Sequence, residues 1–303
     1  MRSFRLFIQL SQPIFILMAV LLYIMGVGID HYLNGQVNWL SFFLGLTWIV
    51  FLLLGFQYLR EYFDLGVVNG EVKWWHTPFS GGSGAIGTGR LPRQVAIWAG
   101  LIGLTVTAAV TALMFQAQEL NLIGVMMLGL ILAGELAFAL PPLRLVASAY
   151  GELILSIILV GLIPGLAYVL QGHDLHRLLI MVAFPLLFLF LGILLALELP
   201  GYASDLKYGK KPIILRIGWQ KGMLLHNILV LGSFVLFGLA FVFGMPLSVG
   251  WPVFIALPVA LFQIWMMNRI AEGAKPNWNL LALSAVSTFG LTTYLLTFSF
   301  WIH

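Results

Sequence analysis

The sequence predicts an all-α polytopic membrane protein, a bundle of about nine transmembrane helices formed by one domain over residues 1–303. Hydrophobic residues make up 61% of the chain and charged residues only 9%, whereas a soluble domain carries roughly a quarter charged residues. The apolar residues form runs of about 20, each long enough for a helix to cross the hydrocarbon core. The predicted spans cover residues 7–29, 37–59, 94–115, 121–140, 149–170, 178–200, 222–244, 250–270 and 278–301.

The first apolar run has two alternative interpretations, a cleaved signal peptide or a transmembrane span. Arg2 and Arg5 precede a run from Leu6 to Ile29. That run is too long for the hydrophobic region of a signal peptide, and no convincing small-residue cleavage site follows it. We therefore interpret it as the first span.

The basic residues indicate how the spans are oriented. One side of the bundle holds the N-terminus and the loops after spans 2, 4, 6 and 8, and the other side receives only Arg177. The positive-inside rule makes the first side cytoplasmic, in a membrane that we expect to be a prokaryotic cell membrane. The basic residues on this side are Arg2, Arg5, Arg60, Lys73, Arg90, Arg93, Arg144, Lys207, Lys210, Lys211, Arg216, Lys221, Arg269 and Lys275.

Composition also excludes several classes of function. The chain has no cysteine, so disulfides, thiolate metal sites and catalytic thiols are excluded. The net charge of +4 does not indicate nucleic-acid binding, because in a membrane protein Lys and Arg mainly mark the loops on the cytoplasmic side. The partners that we expect from composition are membrane lipids.

The few acidic residues are the best candidates for chemistry. The chain has 11 Asp and Glu residues in total, and five of them lie in or beside the two long polar loops after spans 2 and 6. Gln57, Glu61 and Asp64 share one helix face, because residues three and four apart stack. The five acids are Glu61, Asp64 and Glu71 in the first loop and Glu198 and Asp205 in the second.

Two clusters of carboxylates at one membrane face suit a pair of divalent cations. Mg²⁺ takes one or two carboxylates per ion and completes its shell with water and phosphate oxygens. The pattern predicts a pocket for a diphosphate group with apolar helices below it for a lipid tail. Solvated loops without a specific role are the alternative, and Lys210 and Lys211 serve equally well as topology anchors. The basic residues available for phosphate are Arg60, Arg90, Arg93, Lys207, Lys210 and Lys211.

The two loops resemble the aspartate-rich motifs of the UbiA superfamily of intramembrane prenyltransferases. That family is described as a nine-helix bundle with both motifs in cytoplasmic loops, after helices 2 and 6. Further segments resemble its menaquinone-type branch, which prenylates 1,4-dihydroxy-2-naphthoate. These segments are Phe79-Ser80-Gly81-Gly82-Ser83 with Gly89-Arg90-Leu91, Pro141-Pro142-Leu143-Arg144-Leu145, Tyr150-Gly151-Glu152, and Gly209-Lys210 with Leu215-Arg216-Ile217-Gly218.

The resemblance implies Mg²⁺-dependent transfer of a polyprenyl chain from a prenyl diphosphate to an aromatic acceptor, with 1,4-dihydroxy-2-naphthoate expected. Glu61, Asp64 and Asp205 are the implied catalytic residues. The implied metal ligands are Glu61, Asp64, Glu198 and Asp205, and the implied substrate-binding residues are Gln57, Arg60, Arg144, Glu152, Lys207 and Lys210.

The chain departs from the family pattern at several positions. Gln57 and Glu61 replace the usual Asn and Asp, and Val68 stands where a further Asp is expected. Gly201 occupies the first Asp position of the second motif, so Glu198 is expected to substitute from one turn earlier. These departures favour an alternative, a non-catalytic relative that binds lipid or serves as an assembly subunit. A transporter is disfavoured, because the two halves lack a matching pair of Gly/Pro-broken spans.

Two further groups of residues have open interpretations. Glu135 and Glu152 lie in or near spans 4 and 5, where an ionisable residue is a functional candidate. Either is a candidate for orienting the acceptor, and Glu135 is equally able to pair with Arg144. Trp74 and Trp75 either cap the pocket or pack on the surface.

Overall fold

The computed structural model describes residues 2–63, 83–87, 90–207 and 211–303, without the side chains of residues 2, 203, 204 and 207. The predicted all-α fold class is confirmed. In these ranges, nine helices are long and apolar enough to cross a membrane. The helices are α1 (Arg2–Leu10), α2 (Pro13–Asn34), α3 (Trp39–Tyr62), α4 (Arg93–Gln116), α5 (Leu122–Ala139), α6 (Gly151–Val169), α7 (Arg177–Glu198), α8 (Tyr202–Lys207), α9 (Ile213–Ile217), α10 (Trp219–Val242), α11 (Leu247–Ala271) and α12 (Trp278–Ile302).

The predicted boundary of the first span is wrong. The structure divides the apolar run into α1 and α2, and Gln12 between them has a left-handed backbone with φ 45°. Pro13 is the first residue of α2. Proline has no N–H to continue a preceding helix, and it disfavours the helical conformation in the residue before it. The break places the polar residue Gln12 at the start of a membrane-spanning helix.

Small residues allow the helices to approach closely. A Cβ atom at Gly26 in α2 would lie 2.3 Å from the carbonyl oxygen of Pro164 in α6. A Cβ at Gly103 in α4 would lie 3.0 Å from the Cα of Gly55 in α3. Helices in lipid associate through such close packing, because lipid tails are as apolar as the side chains.

The last described helix packs against the first span and closes the bundle. The Trp301 indole N–H of α12 donates to the carbonyl oxygen of Ile24 in α2 at 3.1 Å. On the other side, α12 also contacts α7 and α11, and α7 packs along α10. The ends of α3, α5 and α7 and the starts of α2 and α6 meet at one end of the bundle, which we call the charged face.

Two spans contain irregular turns. In α6, a π-helical turn over Ile157–Leu162 comes just before Pro164. Proline lacks the N–H that would bond to the carbonyl four residues earlier, and a wider turn accommodates the break. In α11, a 3₁₀ turn over Trp251–Ala256 precedes the regular part of the helix. Both spans remain helical throughout.

A buried polar chain links three helices in the second half of the bundle. His226 of α10 contacts Gln263 of α11 through side-chain nitrogens 2.7 Å apart. Thr288 of α12 donates to the Gln263 side-chain oxygen at 3.0 Å. All three side chains are fully buried. Hydrogen bonds between helices of this kind fix the relative rotation of spans in lipid.

Candidate functional site

The first acid region lies at the end of α3. Gln57 and Glu61 are both buried, with 9% and 3% of their surfaces exposed. They lie four residues apart in α3, so the two buried side chains are on the same face of the helix. Arg60 is half-buried between them. Asp64, Glu71, Trp74 and Trp75, which also belong to this predicted loop, lie outside the described residues.

Ser83 donates hydrogen bonds to both oxygens of the Glu61 carboxylate, an arrangement that we call the clasp. Its backbone N–H donates to Oε1 at 2.7 Å, and its hydroxyl donates to Oε2 at 2.8 Å. Ser83 is itself held, because the Gln9 side-chain amide donates to its carbonyl oxygen at 2.7 Å and the Ala85 N–H donates to its hydroxyl oxygen at 3.1 Å. A carboxylate has about four lone-pair sites, so Glu61 is oriented by the clasp and keeps capacity for another ligand.

Arg60 connects α2, α3 and α5. It donates to the side-chain oxygen of Gln12 at 2.9 Å and to that of Gln57. Its guanidinium lies 5.7 Å from the centre of the Phe138 ring. Its positive charge also interacts electrostatically with the Glu135 carboxylate in α5. The sequence left open a pairing of Glu135 with Arg144. In the structure, the positive charge that interacts with Glu135 is that of Arg60.

These side chains line a small cavity. It has a volume of about 40 Å³ and lies between α2, α3, α5 and α6. Its polar lining includes Gln12, Gln57, Arg60 and Glu135. Phe56 and Phe138 are among its apolar lining residues. The charged face therefore contains a space where polar groups and aromatic rings meet.

The second acid region joins α6, α7 and α8. Glu152, the second residue of α6, is buried, and its Oε1 accepts a hydrogen bond from the Ile213 N–H at 2.9 Å. Glu198 is the last residue of α7, and its carboxyl group lies close enough to Glu152 for the two charges to interact. Asp205 in α8 adds a further negative charge next to Glu198. The structure brings these three acids together, and only Glu198 and Asp205 were grouped by the sequence.

The chain between Glu198 and Asp205 is helical but not one continuous α-helix. A single 3₁₀ turn over Leu199–Gly201 separates α7 from α8, because Pro200 has no N–H to continue the α-helical ladder. A Cβ at Gly201 would lie 3.3 Å from Oδ2 of Asp205. The Asp205 carboxylate therefore packs against the position where the resembling family carries its other aspartate.

The close pair of glutamates requires a positive charge between them. Glu152 and Glu198 each have a buried carboxylate oxygen that receives no hydrogen bond from the described residues. Two carboxylates cannot donate to each other, so either a proton or a bound cation must lie in the pair. Among the described residues, no three acidic or histidine side chains are placed to hold a metal ion by themselves. Mg²⁺ needs only one or two carboxylates when substrate phosphates supply the other ligands, so the pair fits such an ion.

The basic candidates lie around both regions. Arg144 is half-buried in a turn after α5, with a left-handed φ of 41° and its N–H donating to the Leu140 carbonyl at 2.9 Å. Lys207 ends α8; its side chain and the whole of Lys210 lie outside the described residues. Lys211 ties the loop to the α5–α6 connection through its N–H, 2.9 Å from the Ala147 carbonyl.

Arg90 and Arg93, at the end of the first loop, donate hydrogen bonds to backbone carbonyl oxygens. Arg93 donates to the Tyr62 carbonyl at 2.7 Å and stacks 4.1 Å from the centre of the Tyr62 ring. Arg90 donates to the Gly84 carbonyl. Arg90 and Arg93 were predicted as groups available for phosphate, and in this structure they stabilise the segments that bound the loop.

Sequence reasoning missed Gln12 and the role of Ser83. Gln12 was counted inside an apolar span, and its only signal was a polar residue directly before a proline. Ser83 appeared in the Gly-Gly-Ser resemblance without a role; Gly81, Gly82 and Gly89, which belong to the same resemblance, lie outside the described residues. Its contact with Glu61 joins residues 22 positions apart, which no local pattern predicts.

Comparison with known proteins relates this fold to solved membrane proteins. No family model and no curated protein sequence matches the chain. A UbiA homologue from Archaeoglobus fulgidus bound to GPP and Mg²⁺ superposes with a TM-score of 0.65 at 13% identity, over 96% of this chain and 99% of that one. The same homologue bound to DMAPP and Mg²⁺ gives 0.61 at 16% identity, over 95% and 98%. A structure described for digeranylgeranylglyceryl phosphate synthase gives 0.61 at 12% identity, over 100% and 98%. At these identities the likeness shows a shared fold.

Proposed function

We propose that this protein, acting as one domain, is a Mg²⁺-dependent prenyltransferase of the UbiA superfamily. It would transfer a polyprenyl chain from a prenyl diphosphate to an aromatic acceptor. The observation that carries the proposal is the Glu152–Glu198–Asp205 cluster at the charged face. The fold that surrounds it is shared with proteins solved with GPP, DMAPP and Mg²⁺.

The residues present fit a divalent cation. Glu198 and Asp205 would hold one ion, and Glu61 and Asp64 would hold a second, where Ser83 already orients Glu61. When bound, Mg²⁺ stabilises the negative charge of the leaving diphosphate. The buried oxygens of Glu152 and Glu198 that receive no donor from the described residues support this assignment.

The other residues have positioning roles in this proposal. Arg144, Lys207 and Lys210 would contact phosphate oxygens or the acidic group of the acceptor, as the family resemblance implies. Arg60 is fixed by Gln12 and Gln57, so its charge is held in one place. The apolar side chains of the bundle would keep water away from the reacting carbon, because a dry wall protects an allylic cation from hydrolysis.

The acceptor and the location are the finer parts of the proposal. The resemblance to the menaquinone-type branch favours 1,4-dihydroxy-2-naphthoate as the acceptor and menaquinone biosynthesis as the role. The chain is an integral multi-pass membrane protein. The distribution of Lys and Arg supports a cytoplasmic charged face, in a prokaryotic cell membrane.

The direct test is a transfer assay on the purified protein in lipid nanodiscs. Geranylgeranyl diphosphate, 1,4-dihydroxy-2-naphthoate and Mg²⁺ should give a prenylated product that disappears with EDTA. Asp205→Asn should abolish the product while leaving the protein folded. No product with any aromatic acceptor or prenyl length, despite tight binding of the prenyl diphosphate, would overturn the proposal.

One observation favours a second candidate, a non-catalytic lipid-binding or assembly subunit. Gly201 provides no carboxylate where the family usually has one, and a shared proton would satisfy the Glu152–Glu198 pair without a metal. This candidate predicts binding of prenyl lipids that does not depend on Mg²⁺. Measuring prenyl-diphosphate affinity with and without EDTA separates the two functions.

A further inference from the structure

Glu135 is a buried carboxylate facing a cavity that the transfer of the prenyl group does not explain. Only 4% of its surface is exposed. It lines the 40 Å³ cavity, and its Oε1 receives no hydrogen bond from the described residues. A buried polar atom without a partner costs free energy, so such an atom in a cavity wall indicates a missing donor.

The other acid considered for the acceptor is already engaged. Glu152 accepts from the Ile213 N–H at 2.9 Å and approaches Glu198. It belongs to the acid cluster, and it is absent from the lining of this cavity. Of the two candidates from the sequence, only Glu135 is therefore placed to meet a ligand there.

The charges around the cavity select the chemistry of that ligand. The positive charge of Arg60 interacts with Glu135, and among the described lining residues these two are the charged ones, of opposite sign. Arg60 is held by the side-chain oxygens of Gln12 and Gln57. An incoming carboxylate or phosphate would lie against the Glu135 carboxylate, and like charges at such a distance repel. A neutral group that donates a hydrogen bond is favoured instead.

The size and the walls of the cavity narrow the class further. Its volume of about 40 Å³ accommodates a hydroxyl group with one or two waters, since each water needs roughly 10–15 Å³. Phe15 and Leu159 lie on the apolar side of the same lining. A ring that places its hydroxyl on Glu135 would extend between α2 and α6 toward these residues.

We propose that Glu135 is a positioning residue that accepts a hydrogen bond from a ring hydroxyl of the acceptor, with the ring against the apolar wall of this cavity. The acceptor is then a phenol or hydroquinone, and any carboxylate that it carries points away from Glu135. This inference rests on the proposed prenyl transfer, and it names the acceptor chemistry of that same site.

The test compares a hydroxyl with its methyl ether, by direct binding in nanodiscs under reducing conditions. The wild-type protein should bind 1,4-naphthohydroquinone about tenfold more tightly than 1,4-dimethoxynaphthalene, the ratio expected for one hydrogen bond to a charged group. Glu135→Leu should bring the two affinities together by weakening only the hydroquinone. Equal affinities in the wild type, or an equal loss for both ligands in the variant, would overturn the inference.

Two further variants guard against a trivial result. Glu135→Gln keeps the shape of the side chain and should reduce the hydroxyl preference about fivefold, because a neutral acceptor forms a weaker bond; an unchanged preference contradicts the proposal. Glu119 precedes the start of α5, at the end opposite Glu135, and accepts hydrogen bonds from Asn38 and Ser41. Glu119→Gln is therefore the control and should leave the hydroxyl preference unchanged.

Turnover and binding report on different proposals. If hydroxyl-selective binding depends on Glu135 but no product forms with any prenyl diphosphate, the inference stands and the proposed transferase activity fails. If product forms while naphthohydroquinone and its ether bind equally, the activity stands and the role of Glu135 fails. Affinity for geranylgeranyl diphosphate should be the same in the wild type and in Glu135→Gln; a change of tenfold or more would place Glu135 in the diphosphate site and contradict the assignment.

Discussion

The two acid regions of the charged face differ in how the protein neutralises their carboxylates. At the end of α3, Glu61 has both oxygens bonded to Ser83, and nearby Arg60 is held by Gln12 and Gln57. At the junction of α6 and α7, Glu152 and Glu198 face each other, each with an oxygen that receives no donor from the described residues. The first region is organised by the protein itself, whereas the second is completed only by a proton or a cation.

This difference indicates in which region a bound ligand would add the most stabilisation. A hydrogen bond that the fold already makes orients a side chain before a ligand arrives. This lowers the entropy cost of ordering that side chain when the ligand binds. An unsatisfied buried carboxylate instead favours whatever brings positive charge to it. We therefore expect the first region to set geometry and the second to determine the dependence on metal.

Next to the loss of product expected for Asp205→Asn, the largest effect comes from removing Glu198, the other proposed ligand of the second region. Glu198→Ala should lower kcat/KM by about 10²–10³, the usual loss when one preorganised electrostatic contact to the reacting group is removed. The measurement is the initial rate of prenyl transfer over a range of Mg²⁺ concentrations. Glu272→Ala, which removes an exposed acid 3.8 Å from Arg269, serves as the control and should match the wild type. An equally small effect of both changes would remove Glu198 from the site.

Replacing glutamate by glutamine should act in opposite directions in the two regions. Glu152→Gln lets the new amide donate to Glu198, and we expect it to stabilise the Mg²⁺-free protein by about 1 kcal/mol. Glu61→Gln keeps an oxygen for the Ser83 N–H, and its new amide can donate to the Ser83 hydroxyl. Because the charged acceptor is lost and both bonds become neutral ones, we expect it to destabilise the protein by about 1 kcal/mol. Thermal unfolding with EDTA in a fixed detergent measures both. Shifts of the same sign would show that the two regions are partnered alike.

The smallest expected effect is the loss of one bond of the clasp. Ser83→Ala removes the hydroxyl that lies 2.8 Å from Glu61 Oε2 and leaves the backbone N–H in place. We expect activity to fall about tenfold, within the range seen when a group that orients a metal ligand is removed. Thr105→Ala is the control, because that exposed hydroxyl donates to the Leu101 carbonyl of its own helix. Steady-state kinetics would contradict the orienting role if Ser83→Ala and the control behaved alike.

The sequence predicted the fold well because hydropathy is a property of whole spans. The exception was Leu6–Ile29, where the apolar average concealed the polar Gln12 before Pro13. The break is local, and the residue before a proline is its physical signal.

The site was less predictable, because its contacts join distant helices. Proximity in sequence suggested Arg144 as the partner of Glu135, yet the charge beside Glu135 comes from Arg60 in α3. The grouping of Glu198 with Asp205 follows from local spacing, and the structure places them together. The approach of Glu152 to Glu198 and the clasp of Ser83 on Glu61 arise from tertiary packing, which spacing alone does not encode.

The bond between Trp301 and Ile24 also has a consequence for the order of synthesis. It joins residues 277 positions apart. At about 5–20 residues per second, roughly 15 to 55 s pass between the translation of the two partners. During that time α2 waits in the bilayer with the face around Gly28, which later receives Trp301, covered only by lipid or by the insertion machinery. The lifetime of the unfinished bundle is therefore set by the ribosome, and slowing translation of the last helix should lengthen the period in which α2 is open to proteases and to wrong partners.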